Sequence, residues 1–244
     1  MKSQDYKFFP QKYIDEINAE VDNNYFTPVW DEVLSHTKIE NLLDVGCGNG
    51  VFSSIVKKKT GCELFGVDGN QYALELASRS EIGFDGVSIL NDFNTDPLPF
   101  GKETFSFVVC KDVFEHLINP VFLLKEISRV LKNDGYLLLH IPNHFPLIGR
   151  VKFLFNNKLD TFNYFPSAEL WEFPHIRFFT YESILKLCSI NGFILNLNLS
   201  YLFPKVPFTK LLSKTLKKTI INHNPSQFAE GFTLLLTKSN KKEL

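Results

Sequence analysis

The chain has 244 residues, 44% of them hydrophobic and 22% charged, with a formal net charge of -1. The length suits one large α/β domain and the composition an ordinary globular protein, while the near-neutral balance supplies no global field for nucleic acid or an anionic membrane surface. Four widely spaced cysteines, Cys47, Cys62, Cys110 and Cys188, show no metal-ligand spacing, so no structural metal is expected. The opening residues MKSQDYKFFPQKY lack the apolar core of a signal peptide, and no apolar run approaches the roughly 20 residues of a membrane-spanning helix. A reduced, cytoplasmic setting is expected.

Residues 1–40 read as an N-terminal helical cap. In DNNYFTPVWDEVLSH, Val29, Val33 and Leu34 share one helical face, with Pro28 near the start. Five short apolar runs follow: NLLDVG (41–46), CELFGVD (62–68), VSILND (87–92), FSFVVC (105–110) and GYLLLHIP (135–142). Continuous rather than alternating apolar runs suit parallel strands buried on both faces. Helical stretches separate them, most clearly NPVFLLKEISRVLKNDG, with Pro120 at its start, Leu123, Leu124, Ile127, Val130 and Leu131 at helical spacing, and Gly135 past its end. This alternation implies βαβ units with right-handed crossovers and a doubly wound sheet. A segment dense in Phe spans 143–180, a helix runs over about Tyr181–Asn191, and strand-like runs occupy 193–202 and 231–239 around a basic insert at 203–230. The whole reads as one domain with its core at 41–142.

The first strand runs into three glycines at alternate positions, Gly46, Gly48 and Gly50. Such a turn can be a plain strand-to-helix connection, yet it closes the first strand of a doubly wound sheet, where ligands bind. A dinucleotide fingerprint needs a third glycine where this chain has Val51 or Ser53, so that reading fails. Asp44 would repel a pyrophosphate and suits a cationic ligand. Asp68, 24 residues beyond Asp44 at the next strand tip, can accept from both hydroxyls of a ribose. Asp92 can accept from an adenine amine, and Phe93 can pack on its ring. Each acid alone could be a helix cap; three in register on successive strands carry more weight.

With these residues in place, the sequence resembles the class I S-adenosylmethionine-dependent methyltransferases. LLDVGCGNG, GVD, NDF and FSFVVCKDVFEHLINP match that family's motifs in order and spacing, tightly over residues 40 to 145. The resemblance implies a Rossmann-like, seven-stranded, mostly parallel sheet with its last strand antiparallel and helices on both faces. It implies S-adenosylmethionine as cofactor, with Asp44, Gly46 and Gly48 along the methionine part, Asp68 on the ribose, and Asp92 and Phe93 on the adenine. Cys47, Gly69, Asn70, Asn91 and Lys111 complete the implied cofactor-binding set. Lys111 stands where the family has a small or polar residue.

A hydroxyl acceptor benefits from a base, and histidine suits neutral pH. His144, His175 and His116 are the candidates, each equally readable as structural; His36 and His223 read as surface and His140 as core. The stretch from PNHFPLIG to HIRFFTYES resembles bacterial methyltransferases of surface-polysaccharide and sugar modification, which implies O-methylation of a nucleotide-activated sugar. Arg150, Lys152 and Arg177 could then clamp a phosphate or carboxylate, and the aromatic segment could form a lid or plain core. Alternatives are a quinone or lipid-like aromatic acceptor, which the basic amphipathic pattern of PFTKLLSKTLKKTII favours, a small amine, or a non-catalytic partner module. That pattern also fits a surface helix covering the sheet edge. No nucleic-acid partner is expected.

Overall fold

The structure is a computed structural model and describes residues 23–79, 83–156, 174–202 and 213–239. Its described residues form one seven-stranded sheet of order β3-β2-β1-β4-β5-β7-β6. The strands are β1 (Asn41–Val45), β2 (Glu63–Asp68), β3 (Gly86–Ile89), β4 (Phe105–Lys111), β5 (Leu131–Pro142), β6 (Phe193–Asn198) and β7 (Gly231–Lys238). β3 through β5 run parallel, and β7 inserts antiparallel between β5 and β6. The order reverses between β1 and β4, so the carboxyl end of β1 opens onto the crevice where such sheets bind ligands.

The apolar runs explain the layering. Phe107, Val108, Val109 and Cys110 of β4 are all wholly buried, as are Leu137, Leu139 and Ile141 of β5 and Leu234, Leu235 and Leu236 of β7. Successive strand residues point to opposite faces, so runs without alternation require cover on both sides. That cover includes α1 (Asn23–Leu34), α2 (Val51–Thr60), α3 (Gln71–Arg79), α4 (Pro120–Val130) and α6 (Tyr181–Ile190). A further helix, α5 (Leu147–Asn156), follows β5. α4 starts as its sequence predicts: Pro120 occupies the first turn, and the Asn119 side chain accepts the Phe122 N–H.

Four boundaries depart from the sequence reading. α4 ends at Val130, because Leu131 joins β5 and pairs with Phe105; sheet pairing overrides the helical spacing. β3 stops at Ile89, which leaves Asn91 and Asp92 in the loop beyond it. β6 stops at Asn198, and a short 3₁₀ turn over Ser200–Leu202 follows. Pro28 lies inside α1 rather than near its start. Part of the expected N-terminal cap (1–22), much of the aromatic segment (157–173) and the start of the basic insert (203–212) lie outside the described residues.

α1 is held by Trp30, which is wholly buried and donates its indole N–H to the Phe52 carbonyl at 2.8 Å. Its ring packs against Phe52 and Phe107 at centroid distances of 5.0 and 6.0 Å. Truncation removes a large buried ring and leaves a cavity. Trp30→Ala is expected to lower unfolding free energy by about 3–5 kcal/mol in urea denaturation followed by circular dichroism.

Candidate functional site

The glycine turn connects β1 to α2. Gly46 and Cys47 both donate their N–H to the Val67 carbonyl, at 2.8 and 3.0 Å, which ties the turn to the tip of β2. All three glycines have positive φ, 74°, 52° and 76°, a region that side chains disfavour. Their surroundings differ. A Cβ on Gly46 would lie 2.3 Å from Val113, and one on Gly50 would lie 2.2 Å from Phe84. One on Gly48 would meet nothing within 4 Å. Gly46 and Gly50 therefore serve packing, and Gly48 presents bare backbone at the turn's surface.

Asp44 and Asp68 flank that turn. Asp44 is buried, and its Oδ2 accepts the Ser53 hydroxyl at 2.6 Å. Burial pushes its pKa up to about 7; the Ser53 bond opposes the rise, the Asp68 charge adds to it, and Lys111 opposes it again. Asp68 accepts the Gly48 N–H through Oδ2 at 2.7 Å and the Asn70 N–H through Oδ1 at 2.8 Å. Burial raises its pKa too, opposed by those backbone bonds. Asn70 then caps α3, its side chain accepting the Tyr72 N–H at 2.9 Å. Asp92 is half-buried beyond β3, with Oδ1 accepting the Asn94 N–H at 2.8 Å. The Phe93 ring approaches Gly69, where a Cβ would lie 3.8 Å from it, whereas Asn91 is exposed. The strand-end residues named from the sequence are thus brought to the same carboxyl edge.

Lys111 ends β4. Its ammonium pairs with Asp112, whose φ is 54°, and lies 5.3 Å from the centroid of the Phe26 ring on α1. The lysine head is therefore engaged by its own loop and by α1.

The three candidate histidines converge. His144 lies just past β5, His116 in the 3₁₀ turn Phe114–His116 after β4, and His175 at the head of the segment that leads into α6. His144 Nε2 and His175 Nδ1 are 2.6 Å apart, and the His116 and His175 rings lie edge to face at 4.8 Å. Burial drives the His175 pKa down to about 2, helped by His116 and His144, and lowers that of His116. Burial thus favours the neutral form of both rings. His140 lies half-buried on β5 rather than in the core, its Nδ1 2.7 Å from the Thr233 hydroxyl, with a pKa lowered by burial to about 4. His36 and His223 are exposed.

Beneath the cluster lies a residue that the sequence reading passed over. Glu115 is fully buried, and neither carboxylate oxygen has a hydrogen-bond donor among the described residues. Its Oε1 is 4.0 Å from His116 Nε2 and 4.0 Å from His175 Nε2. Burial, and then the Asp112 charge, push its pKa well above the usual carboxylate range. An acid between Phe114 and His116, directly after a buried strand, was the available signal.

The expected phosphate clamps sit differently. Arg177 donates from Nε to the Leu117 carbonyl at 3.1 Å and from Nη2 to the Ile118 carbonyl. Arg150 is exposed and donates to the Phe145 carbonyl at 2.9 Å. Lys152 is exposed on α5. Two aromatic rings flank the histidines instead: Phe178 lies 4.9 Å and Phe145 6.5 Å from the His144 ring, both partly exposed. In the basic insert, α7 (Lys214–His223) buries Ile221 and leaves Leu216 largely exposed. No helix of the described residues is long and apolar enough to cross a membrane.

Residues 43–139 match the family model described as a methyltransferase domain. A ubiquinone biosynthesis O-methyltransferase of Actinobacillus pleuropneumoniae is 29% identical over 110 residues, 43% of this chain and 46% of that protein. An uncharacterized protein of Methanocaldococcus jannaschii is 34% identical over 107 residues, 44% of this chain and 43% of that one. The chain matches less than half the length of these curated relatives. A SAM-dependent methyltransferase from Archaeoglobus fulgidus superposes with a TM-score of 0.61 at 18% identity, covering 94% of this chain and 100% of that one. One from Aquifex aeolicus gives 0.58 at 14% identity, covering 95% and 100%. At such identities the likeness carries the fold.

The buried Asp44 has a measurable signature. A carboxyl whose folded pKa lies near 7, against an ordinary 3.8, contributes stability below about pH 4 that is lost as the pH rises towards 7. Asp44→Asn is expected to raise the melting midpoint of the ligand-free protein at pH 8 and to change it little at pH 4, read by scanning calorimetry.

Proposed function

We propose that this chain, a methyltransferase domain with the class I S-adenosylmethionine-dependent fold, transfers a methyl group from S-adenosylmethionine to a hydroxyl of an aromatic, quinone-precursor-like acceptor. One observation carries the cofactor half: the bare backbone of Gly48 lies beside the buried Asp44 and the half-buried Asp68 at the reversal point of the sheet. The residues fit the group. Asp44 offers a buried negative charge to a cationic amino acid part, and a site of low dielectric strengthens that attraction. Asp68, held by two backbone N–H groups, is aimed for ribose hydroxyls. Phe93 beside Gly69 offers a face for a base, next to Asp92.

When bound, S-adenosylmethionine supplies an activated methyl on a sulfonium. This chain's own task is then to align an acceptor oxygen and take up its proton. His144, whose Nε2 meets His175 Nδ1, is the candidate for that task, because burial makes His116 and His175 poorer bases. Phe145 and Phe178 beside His144 favour a flat, apolar acceptor. The relatives named as ubiquinone biosynthesis O-methyltransferases agree with that chemistry. Arg177 and Arg150 each donate to a backbone carbonyl, which leaves the sugar reading resting on the resemblance of the stretch from PNHFPLIG to HIRFFTYES.

The test is labelled S-adenosylmethionine with a panel of catechols, hydroxylated quinone precursors, nucleotide-activated sugars and small amines. Label on the phenolic acceptors is expected; label only on sugars or amines overturns the acceptor, and no binding of S-adenosylmethionine overturns the whole reading. Asp68→Ala is expected to weaken S-adenosylmethionine binding at least about 10-fold in calorimetry, from the loss of charge-assisted hydrogen bonds. His144→Ala is expected to lower turnover by about 10²-fold with that affinity kept.

A further inference from the structure

From its place beside Asp44, we infer that the Lys111 side chain binds the α-carboxylate of the cofactor's amino acid part while Asp44 takes the ammonium, so that the two clamp a zwitterion. This role rests on the cofactor half of the proposed function.

Strand register brings the two charges together. Asp44 pairs with Val109 and Val45 with Cys110, so Lys111, the last residue of β4, stands level with Gly46 across the crevice. Side chains two positions apart along a strand share a face, which puts Lys111 on the Asp44 side of the sheet. On that face the lysine reaches towards the glycine turn. Its ammonium lies 5.3 Å from the centroid of the Phe26 ring, and Phe26 meets Phe52, in the first turn of α2, edge to face at 4.9 Å. Ser53, the next residue, donates its hydroxyl to Asp44 at 2.6 Å. Asp44, Ser53, Phe52, Phe26 and Lys111 thus line one side of the turn. Lys111 also acts on Asp44 electrostatically, opposing the burial that raises the acid's pKa.

The pair is complementary to one kind of ligand. An acid alone at the crevice would accept any cation. An acid and a lysine on one face select a group that carries both charges a few bonds apart, as an α-amino acid does. Asp112 holds the lysine head without exhausting it: an ammonium has three N–H donors, so pairing with Asp112 leaves capacity for a second carboxylate. Asp112 is itself fixed, its N–H donating to the His140 carbonyl at 3.0 Å. The Lys111 side chain is 23% exposed, so an ion pair made there is screened less than one on the open surface. The small or polar residue that the family resemblance places at this position supplies no such charge.

The test compares S-adenosylmethionine with its decarboxylated form, which keeps the adenosine, the sulfonium and the amine and lacks only the carboxylate. Affinities are measured by calorimetry on the full chain with no acceptor present. The wild type is expected to bind S-adenosylmethionine at least about 10-fold more tightly, the effect of one charge-assisted hydrogen bond. Lys111→Met keeps an apolar stem against Phe26 and removes the charge. It is expected to cut the preference to below about 3-fold, chiefly by weakening S-adenosylmethionine. Lys111→Arg is expected to retain most of the preference. Circular dichroism and melting curves establish that each variant is folded. Equal affinity of the wild type for the two ligands overturns the inference without any variant, and so does an unchanged preference in folded Lys111→Met. In both cases S-adenosylmethionine still binds and the cofactor reading stands. Binding of neither ligand by the wild type overturns that reading and the lysine's role together.

Discussion

The Asp68 carboxylate is the contact on which the site depends. One oxygen takes the N–H of Gly48 from the turn after β1, and the other takes the N–H of Asn70 at the head of α3. Gly46 and Cys47 add two further bonds to the Val67 carbonyl of the same strand. The turn is therefore pinned to β2 along its length, and its path requires positive φ at three residues. Glycine meets that requirement without strain. Two of these glycines also clear space for Val113 and Phe84, and the third leaves backbone exposed between Asp44 and Asp68. Asp44 remains buried behind them, at the cost of a pKa near 7. A protein stores such a penalty where a ligand will offset it.

A second set of bonds builds the histidine cluster. The carbonyl of Glu115 accepts the N–H groups of Ile176 and Arg177, at 2.9 and 3.0 Å. Arg177 donates to the carbonyls of Leu117 and Ile118, and His116 Nδ1 meets that of Pro174. Together they stitch the segment before α6 onto the loop after β4. The stitching places the His175 ring against His116 and brings His144 within hydrogen-bond reach. In this account the arginine of HIRFFT is a positioning residue for the histidine two places before it. The two edges meet at Val113, which packs against Gly46 while its neighbours carry Asp112 and Glu115.

Much of this was legible in the sequence because its causes are local. Unbroken apolar runs ending in Asp44, Asp68 and Asp92 announced parallel strands with polar tips, and the alternate glycines announced a turn at positive φ. The strand order and the antiparallel insertion of β7 agree with the family resemblance. Where two local tendencies compete, the sequence misled: Leu131 keeps helical spacing yet pairs with Phe105 in the sheet. The histidines could be named but not joined, since their proximity comes from backbone bonds between residues 60 apart. Glu115 escaped notice for the same reason. Its significance lies in what surrounds it, and an isolated acid beside His116 carries no mark of complete burial. Arg150 and Arg177 were readable as anion clamps, and the sequence could not show that each also donates to a backbone carbonyl.

The central claim is that the glycine turn, the β2 tip and the loop after β3 together hold the cofactor. Amide hydrogen–deuterium exchange with and without S-adenosylmethionine tests it most directly. Slower exchange is predicted in peptides covering Gly46–Gly50, Asp68–Asn70 and Asn91–Phe93, with β6 and β7 unchanged. Unaltered exchange across all three stretches under saturating S-adenosylmethionine, or protection confined to other parts of the chain, would contradict it.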